Sequence, residues 1–184
     1  MTGDSAPRDL CPMLYGERVV LHPLRAEHAA VLFPILSDDE LWRFAPRPRS
    51  KSVAEMRDAF ARLESRRSKD GREYWLNWAI EEKITKNVIG FVQATVDEAI
   101  SEAGIAYILA RSSWGAGLAS DAVSAMLVHL KAIGVPAFFA TVDSANLRST
   151  RLLESFGFRV SDAHDRHNVR YVLAASALPH PRTP

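Results

Sequence analysis

The stretch Tyr107-Ile108-Leu109-Ala110-Arg111-Ser112-Ser113-Trp114-Gly115-Ala116-Gly117-Leu118-Ala119-Ser120 decides the fold of this chain. It begins inside an apolar strand, Ile105 to Ala110, passes through a short polar loop, and opens with small residues into a helix expected to reach about Ile133. Gly115 and Gly117 carry no side chain to block a close approach, and Ala119 and Ser120 add little bulk. The first-turn N–H groups of such a helix have no intrahelical acceptor, and the positive end of its dipole favours an anion. Two readings stay open on these residues alone: a diphosphate gripped by backbone, or a plain turn between strand and helix. No lysine follows the second glycine, so this is not a P-loop. Gly115 to Ser120 nearly matches the dinucleotide fingerprint, reading G-x-G-x-x-S. Against that, the loop after Ala110 is too long for the tight dinucleotide turn, and too little chain follows for the second half of a doubly wound domain.

Working outward, Trp75 to Ile80 and Val88 to Thr95 read as a hairpin, with Ile105 to Ala110 a third strand of the same kind. Upstream lie an edge strand, Arg18 to Leu21, stopped by His22-Pro23, and a helix over Ala26 to Leu36. A loop over Arg43 to Lys51 follows. Ser52 and Glu55 form a capping box that opens a helix expected to run to about Arg67. Downstream, a strand near Phe138 to Val142, a helix near Asn146 to Phe156, and strands near Phe158 and Tyr171 to Ala175 complete the chain. A hairpin first and β-α-β later imply an α/β fold, with a mixed sheet and helices on its faces. The expected organisation is one domain over residues 14–176 between tails at 1–13 and 177–184.

Composition fits an ordinary globular domain: 184 residues, 47% hydrophobic and 24% charged. Lys+Arg 23 against Asp+Glu 22 gives a net charge of +1, which removes the broad basic field of a dedicated nucleic-acid binder. No stretch is apolar enough to span a membrane and no signal peptide stands out, so the expectation is a cytoplasmic protein with neither nucleic acid nor membrane as partner. The single cysteine, Cys11, cannot form an intramolecular disulfide.

A second segment, Asn146 to Phe158, stops at Gly157, which suits a left-handed helix end. Counting from Ser149, Leu152, Leu153 and Phe156 fall on one stripe, and Ser149 shares it, as does Asn146 one turn earlier. Either Asn146 caps the helix and Ser149 bonds back to a carbonyl one turn earlier, or both meet a ligand. Arg148 and Arg151 fall on the outer side of this helix, either solvated or within reach of a bound phosphate.

Together the two segments resemble the GNAT superfamily of acetyl-CoA-dependent N-acetyltransferases, and more closely its RimJ/RimL-like ribosomal-protein branch. Trp114-Gly115-Ala116-Gly117-Leu118-Ala119 occupies the family's cofactor loop, with Trp114 in place of its polar first residue. Asn146, Ser149, Leu152 and Gly157-Phe158 match its later motif. The resemblance, over about Leu14 to Ala175, implies a mostly antiparallel sheet of about six to seven strands, helices on both faces, and a slot where central strands splay. It implies acetyl-CoA as co-substrate, with Tyr107, Ile108 and Leu109 bonding the pantetheine and Gly115 to Ser120 the diphosphate. Asn146 would contact the cofactor and Ser149 would sit near its sulfur.

The implied reaction is attack of a primary amine, of a protein N-terminus or a small molecule, on the thioester. Ser149 is the candidate at the sulfur, because the tyrosine that many members place there falls at Leu153. The oxyanion donor is expected from a backbone N–H near Ile108 or Leu109. Acids that relatives use as base fall at Thr141 and Gly104, leaving Glu102, which keeps strand parity, to reach the site directly or through water. A non-catalytic acyl-CoA sensor and a nicotinamide-dependent enzyme are the rival classes. Asp162, His164, Asp165 and His167 are close in sequence but define no geometry, so no metal is expected. His164 and His167 would border the acceptor site, and His129 is expected to be structural. The protein is expected to be a monomer or homodimer.

Overall fold

In the computed structural model, residues 9–44, 49–97, 102–163 and 167–178 are described. Eight strands form one sheet in the order β1-β2-β3-β4-β5-β6-β8-β7. They are β1 (Leu14–Tyr15), β2 (Val19–Pro23), β3 (Glu73–Glu82), β4 (Val88–Asp97), β5 (Glu102–Leu109), β6 (Ala137–Asp143), β7 (Arg159–Ala163) and β8 (Asn168–Ala174). All neighbours are antiparallel except β5 and β6. The class is the α/β mixed sheet expected, with eight strands rather than six to seven. β2 is not an edge strand: the two-residue β1 pairs along its free side. A strand so short leaves no periodic trace in a sequence.

Side chains on β3 alternate between two cores, as period-2 geometry demands. Leu76, Trp78 and Ile80 join the core beneath α3 (Leu118–Ala132), while Ala79 joins a second core with residues of α1 (Ala29–Leu36) and α2 (Val53–Leu63). Helices therefore cover both faces. α4 (Leu147–Ser155) shares the α3 face through Leu153, fully buried there beside Phe158.

The expected Ser52 cap is present, but the reciprocal bond of the box goes one residue too early, to Lys51 instead of Ser52. Ser52 Oγ accepts from the Glu55 N–H at 3.2 Å, and Glu55 reaches back to the Lys51 N–H at 2.7 Å. α2 ends at Leu63, not Arg67. Arg66 turns left-handed at φ 58° and donates to the Leu24 carbonyl at 2.9 Å. Beyond Leu63 the run Glu64-Ser65-Arg66-Arg67 offers no apolar side chain to hold another helical turn.

What positions the site is the seam between β5 and β6. Their ladder contains only Ala103↔Phe138 and Gly104↔Phe139, after which the strands diverge. β6 stays paired with β8 along its whole length, and β5 with β4 as far as Leu109. Residues 105–109 thus present one backbone edge with no strand beside it, and such groups need water or a ligand.

Candidate active site

The cleft that opens at this seam has a volume of about 610 Å³, within the usual range for small-molecule sites. Its floor is Tyr107, Ile108 and Leu109 of β5, its mouth is the loop into α3, and the first turn of α4 supplies a wall.

The mouth is built by local conformational constraints. Gly115 and Gly117 adopt φ 75° and 77°, the left-handed region, and Gly117 is the N-cap of α3. A methyl at Gly115 would meet no atom within 4 Å, so the space above it is open. No side chain caps α3, which leaves its first-turn N–H groups to water or an anion. Arg18 braces the loop from behind by donating to the Ala116 carbonyl, and Asp121 accepts from the Glu17, Arg18 and Val19 amides at 2.9, 2.7 and 3.0 Å. Trp114 donates through Nε1 to the Leu109 carbonyl at 2.9 Å and packs against the main core.

On the α4 side, Asp143 accepts from the Ala145 N–H at 2.8 Å, setting the turn that delivers Asn146. Asn146 caps α4, its Oδ1 accepting from the Ser149 N–H at 3.2 Å, which leaves its amide donors facing the cleft it lines. The Ser149 hydroxyl makes no bond back to a carbonyl one turn earlier among the described residues. The Tyr107 hydroxyl donates to the Ser149 carbonyl at 3.4 Å. Burial pushes the Tyr107 phenol above its usual range, and its contact with Ser149 works against that rise. The Tyr107 side chain thereby ties β5 to the first turn of α4, and both residues line the cleft.

Most of the residues singled out in the sequence meet here: Tyr107, Ile108, Leu109, Trp114, Gly115, Gly117, Ala119, Ser120, Asn146 and Ser149 all line the cleft. Ala116 contributes through its carbonyl to Arg18, and the Leu118 side chain lies in the core. Glu102 does not join them. It begins β5, five residues before Tyr107 or about 16 Å of strand, and its carboxylate accepts from Arg170, whose guanidinium lies 3.9 Å over Phe139. Leu153 is fully buried and cannot stand in for a tyrosine at the cleft. His129 holds the Leu10 carbonyl at 2.9 Å and meets Trp78 edge-on, as a structural residue would. His164 and Asp165 lie outside the described residues, among which no cluster of three or more His, Cys, Asp or Glu could hold a metal.

Sequence reasoning missed two charged contributors. Glu40 and Arg43 enter from the 3-10 turn at Asp39–Trp42 and the residue after it. Arg148 and Arg151 are exposed on the outer side of α4 as expected, and that side lines the cleft. Helical periodicity separates core from surface but does not show that the surface side of a short helix forms the wall of a groove. No helix among the described residues is long and apolar enough to cross a membrane.

A profile of the acetyltransferase (GNAT) domain matches residues 18–159. The chain is 29% identical to the uncharacterized N-acetyltransferase p20 of Bacillus licheniformis over 148 residues, 79% of this chain and 82% of p20. Among solved structures it resembles Mycobacterium smegmatis RimJ in complex with CoA-disulfide, with a TM-score of 0.80 and 24% identity, covering 91% of this chain and 90% of that one. It also resembles RimL, the ribosomal L7/L12 alpha-N-protein acetyltransferase, in complex with coenzyme A, with a TM-score of 0.77 and 17% identity, covering 90% and 99%.

Proposed function

Because the chain belongs to the GNAT acetyltransferase family, we propose that it moves the acetyl group of acetyl-CoA onto the free N-terminal amine of a protein or peptide. The observation that carries the cofactor part is the pairing, in one cleft, of an uncapped helix mouth with an unpaired strand edge. The first suits a diphosphate and the second an amide-bearing pantetheine arm. The preference for an N-terminal amine is supported by the likeness to RimL and RimJ along nearly the whole chain.

In this reading the α3 amides and the Gly115–Gly117 turn hold the diphosphate, and the Asn146 amide donates to the arm. An N–H near Ile108 or Leu109 faces the thioester oxygen, where charge gathers as the amine adds. The C–S bond then breaks and the sulfur leaves as a thiolate. Ser149 donates a hydrogen bond there. A hydroxyl is a weaker acid than a thiol of pKa about 8.5, so Ser149 stabilises the thiolate rather than protonating it fully. The amine reaches solution as an ammonium and must lose its proton. Glu40, the single carboxylate among the described lining residues, is paired with Arg43 at 3.4 Å. Glu102 is engaged by Arg170, so the proton leaves through water to bulk solvent.

The test is release of free thiol from acetyl-CoA over a panel of amines that includes peptides with free N-termini, polyamines and aminoglycosides. Turnover on the peptides supports the proposal, and turnover on small amines alone replaces its acceptor. Tight binding of acetyl-CoA without turnover on any amine would favour a sensor.

A further inference from the structure

The two halves of the sheet meet along one short seam. β1 to β5 make one half and β6, β8 and β7 the other, and among the described residues only Ala103↔Phe138 and Gly104↔Phe139 pair across it. The cleft is shared between the halves. Its floor, Tyr107 to Leu109, belongs to β5, whereas Asn146 and Ser149 are carried by the first turn of α4, which follows directly from β6. A ligand bonded to both walls therefore feels any change in the angle at which the halves meet.

Side chains add a clasp at this seam. Ala103, Phe138 and Tyr171 lie in the core beneath α3, so their neighbours Glu102, Gly104, Phe139 and Arg170 project from the other face. A Cβ at Gly104 would come within 2.7 Å of the Phe139 ring, so the missing side chain is what lets that ring lie over β5. The Arg170 guanidinium covers Phe139 at 3.9 Å and donates to the Glu102 carboxylate. β8 is thereby fastened across β6 to β5 by a charge-assisted bond whose two side chains are each only 22% exposed.

We infer that Glu102, Phe139 and Arg170 are positioning residues that set the opening of the cleft, by pinning the two half-sheets together at their last paired residues. This rests on the acetyl-CoA reading above. Ile108 lies four residues beyond Gly104, about 13 Å along the strand, so a turn of about 5° at the clasp displaces it by about 1 Å. A displacement of that size is enough to spoil bonds to a ligand held from both walls.

The test pairs calorimetric titration of the full chain with acetyl-CoA, without amine, and kcat on whichever amine of the panel turns over. Both are measured at a temperature where circular dichroism shows each variant folded. Glu102→Ala and Arg170→Ala each weaken acetyl-CoA binding by roughly tenfold, although neither residue lines the cleft. The double variant binds no worse than Arg170→Ala, because both have lost the same bond. Arg170→Lys keeps the charge but loses the flat stack; it shows a smaller loss and carries the test where an alanine variant does not fold. Unchanged affinity in the folded variants overturns the clasp, as does additive loss in the double variant. A fall in kcat alone in Glu102→Ala, with affinity kept, would make Glu102 a proton acceptor and overturns it too. Failure of the folded wild type to bind acetyl-CoA overturns the cofactor reading itself, a result distinct from any of these.

Discussion

Asp121 and Arg18 hold one another's loops. The Asp121 carboxylate accepts the Arg18 N–H at 2.7 Å, and the Arg18 guanidinium donates to the carbonyl of Ala116 in the loop that enters α3. The turn between β1 and β2 is thereby fixed to the first turn of α3, and a helix mouth meant to bind an anion is rigid before any ligand arrives. Pre-organisation of this kind lowers the ordering cost of binding.

Removing this lock should lower stability and affinity together. Asp121→Ala forfeits three hydrogen bonds to a carboxylate and is expected to cost about 2 kcal/mol, a fall in Tm of roughly 4–8 °C. Gly16→Ala should act on the same feature, because its Cβ would come within 2.5 Å of the Asp121 carboxylate. The two substitutions should be less than additive, since each breaks the same contact. Denaturant titration of the single and double variants checks both statements.

Gly117→Ala should destabilise modestly and bind acetyl-CoA poorly. An L-residue at φ 77° costs roughly 1–2 kcal/mol, and relief of that strain would move the α3 amides away from the diphosphate. Melting curves with and without acetyl-CoA report both effects: the apo Tm falls, and the rise on adding ligand shrinks.

Much of this was legible beforehand, for reasons that can be named. Gly115 and Gly117 were readable because backbone that turns left-handed selects glycine. The Ser52 cap was readable because capping is local. The sheet order was not. β8 inserts between β6 and β7, and pairing between distant strands leaves no mark in either one. Arg148 and Arg151 were assigned to the outside of α4 because helical spacing reports the core side alone; that the outer side faces a groove depends on β5 and β6 parting after Gly104. The Tyr107–Ser149 contact spans 42 residues and was equally invisible.

Ser149→Ala should lower kcat more than it weakens acetyl-CoA binding, by about tenfold for one hydrogen bond of about 1.4 kcal/mol lost in the transition state. The raised phenol of Tyr107 stays neutral through the ordinary assay range, so the wild-type rate should show no loss from its ionisation below about pH 10. Initial rates across pH, with affinity measured separately, test this. An unchanged kcat in Ser149→Ala removes that hydroxyl from the reaction.

Cys11 should be inert in the native state. Burial pushes its thiol from 9.0 to about 11. The folded state therefore favours the neutral thiol. Its contribution is intact below about pH 9 and is lost as pH rises from 9 through 11. Thiol labelling at pH 8 should proceed at the rate of unfolding, and urea midpoints should fall between pH 9 and 11 with a shallower slope in Cys11→Ala.

The most direct measurement follows backbone amide resonances while unlabelled acetyl-CoA is titrated in. The largest shifts are expected at Leu118, Ala119 and Ser120, with smaller ones along Tyr107 to Leu109. Saturable binding that leaves those three amides unmoved would contradict the claim that the mouth of α3 holds the diphosphate.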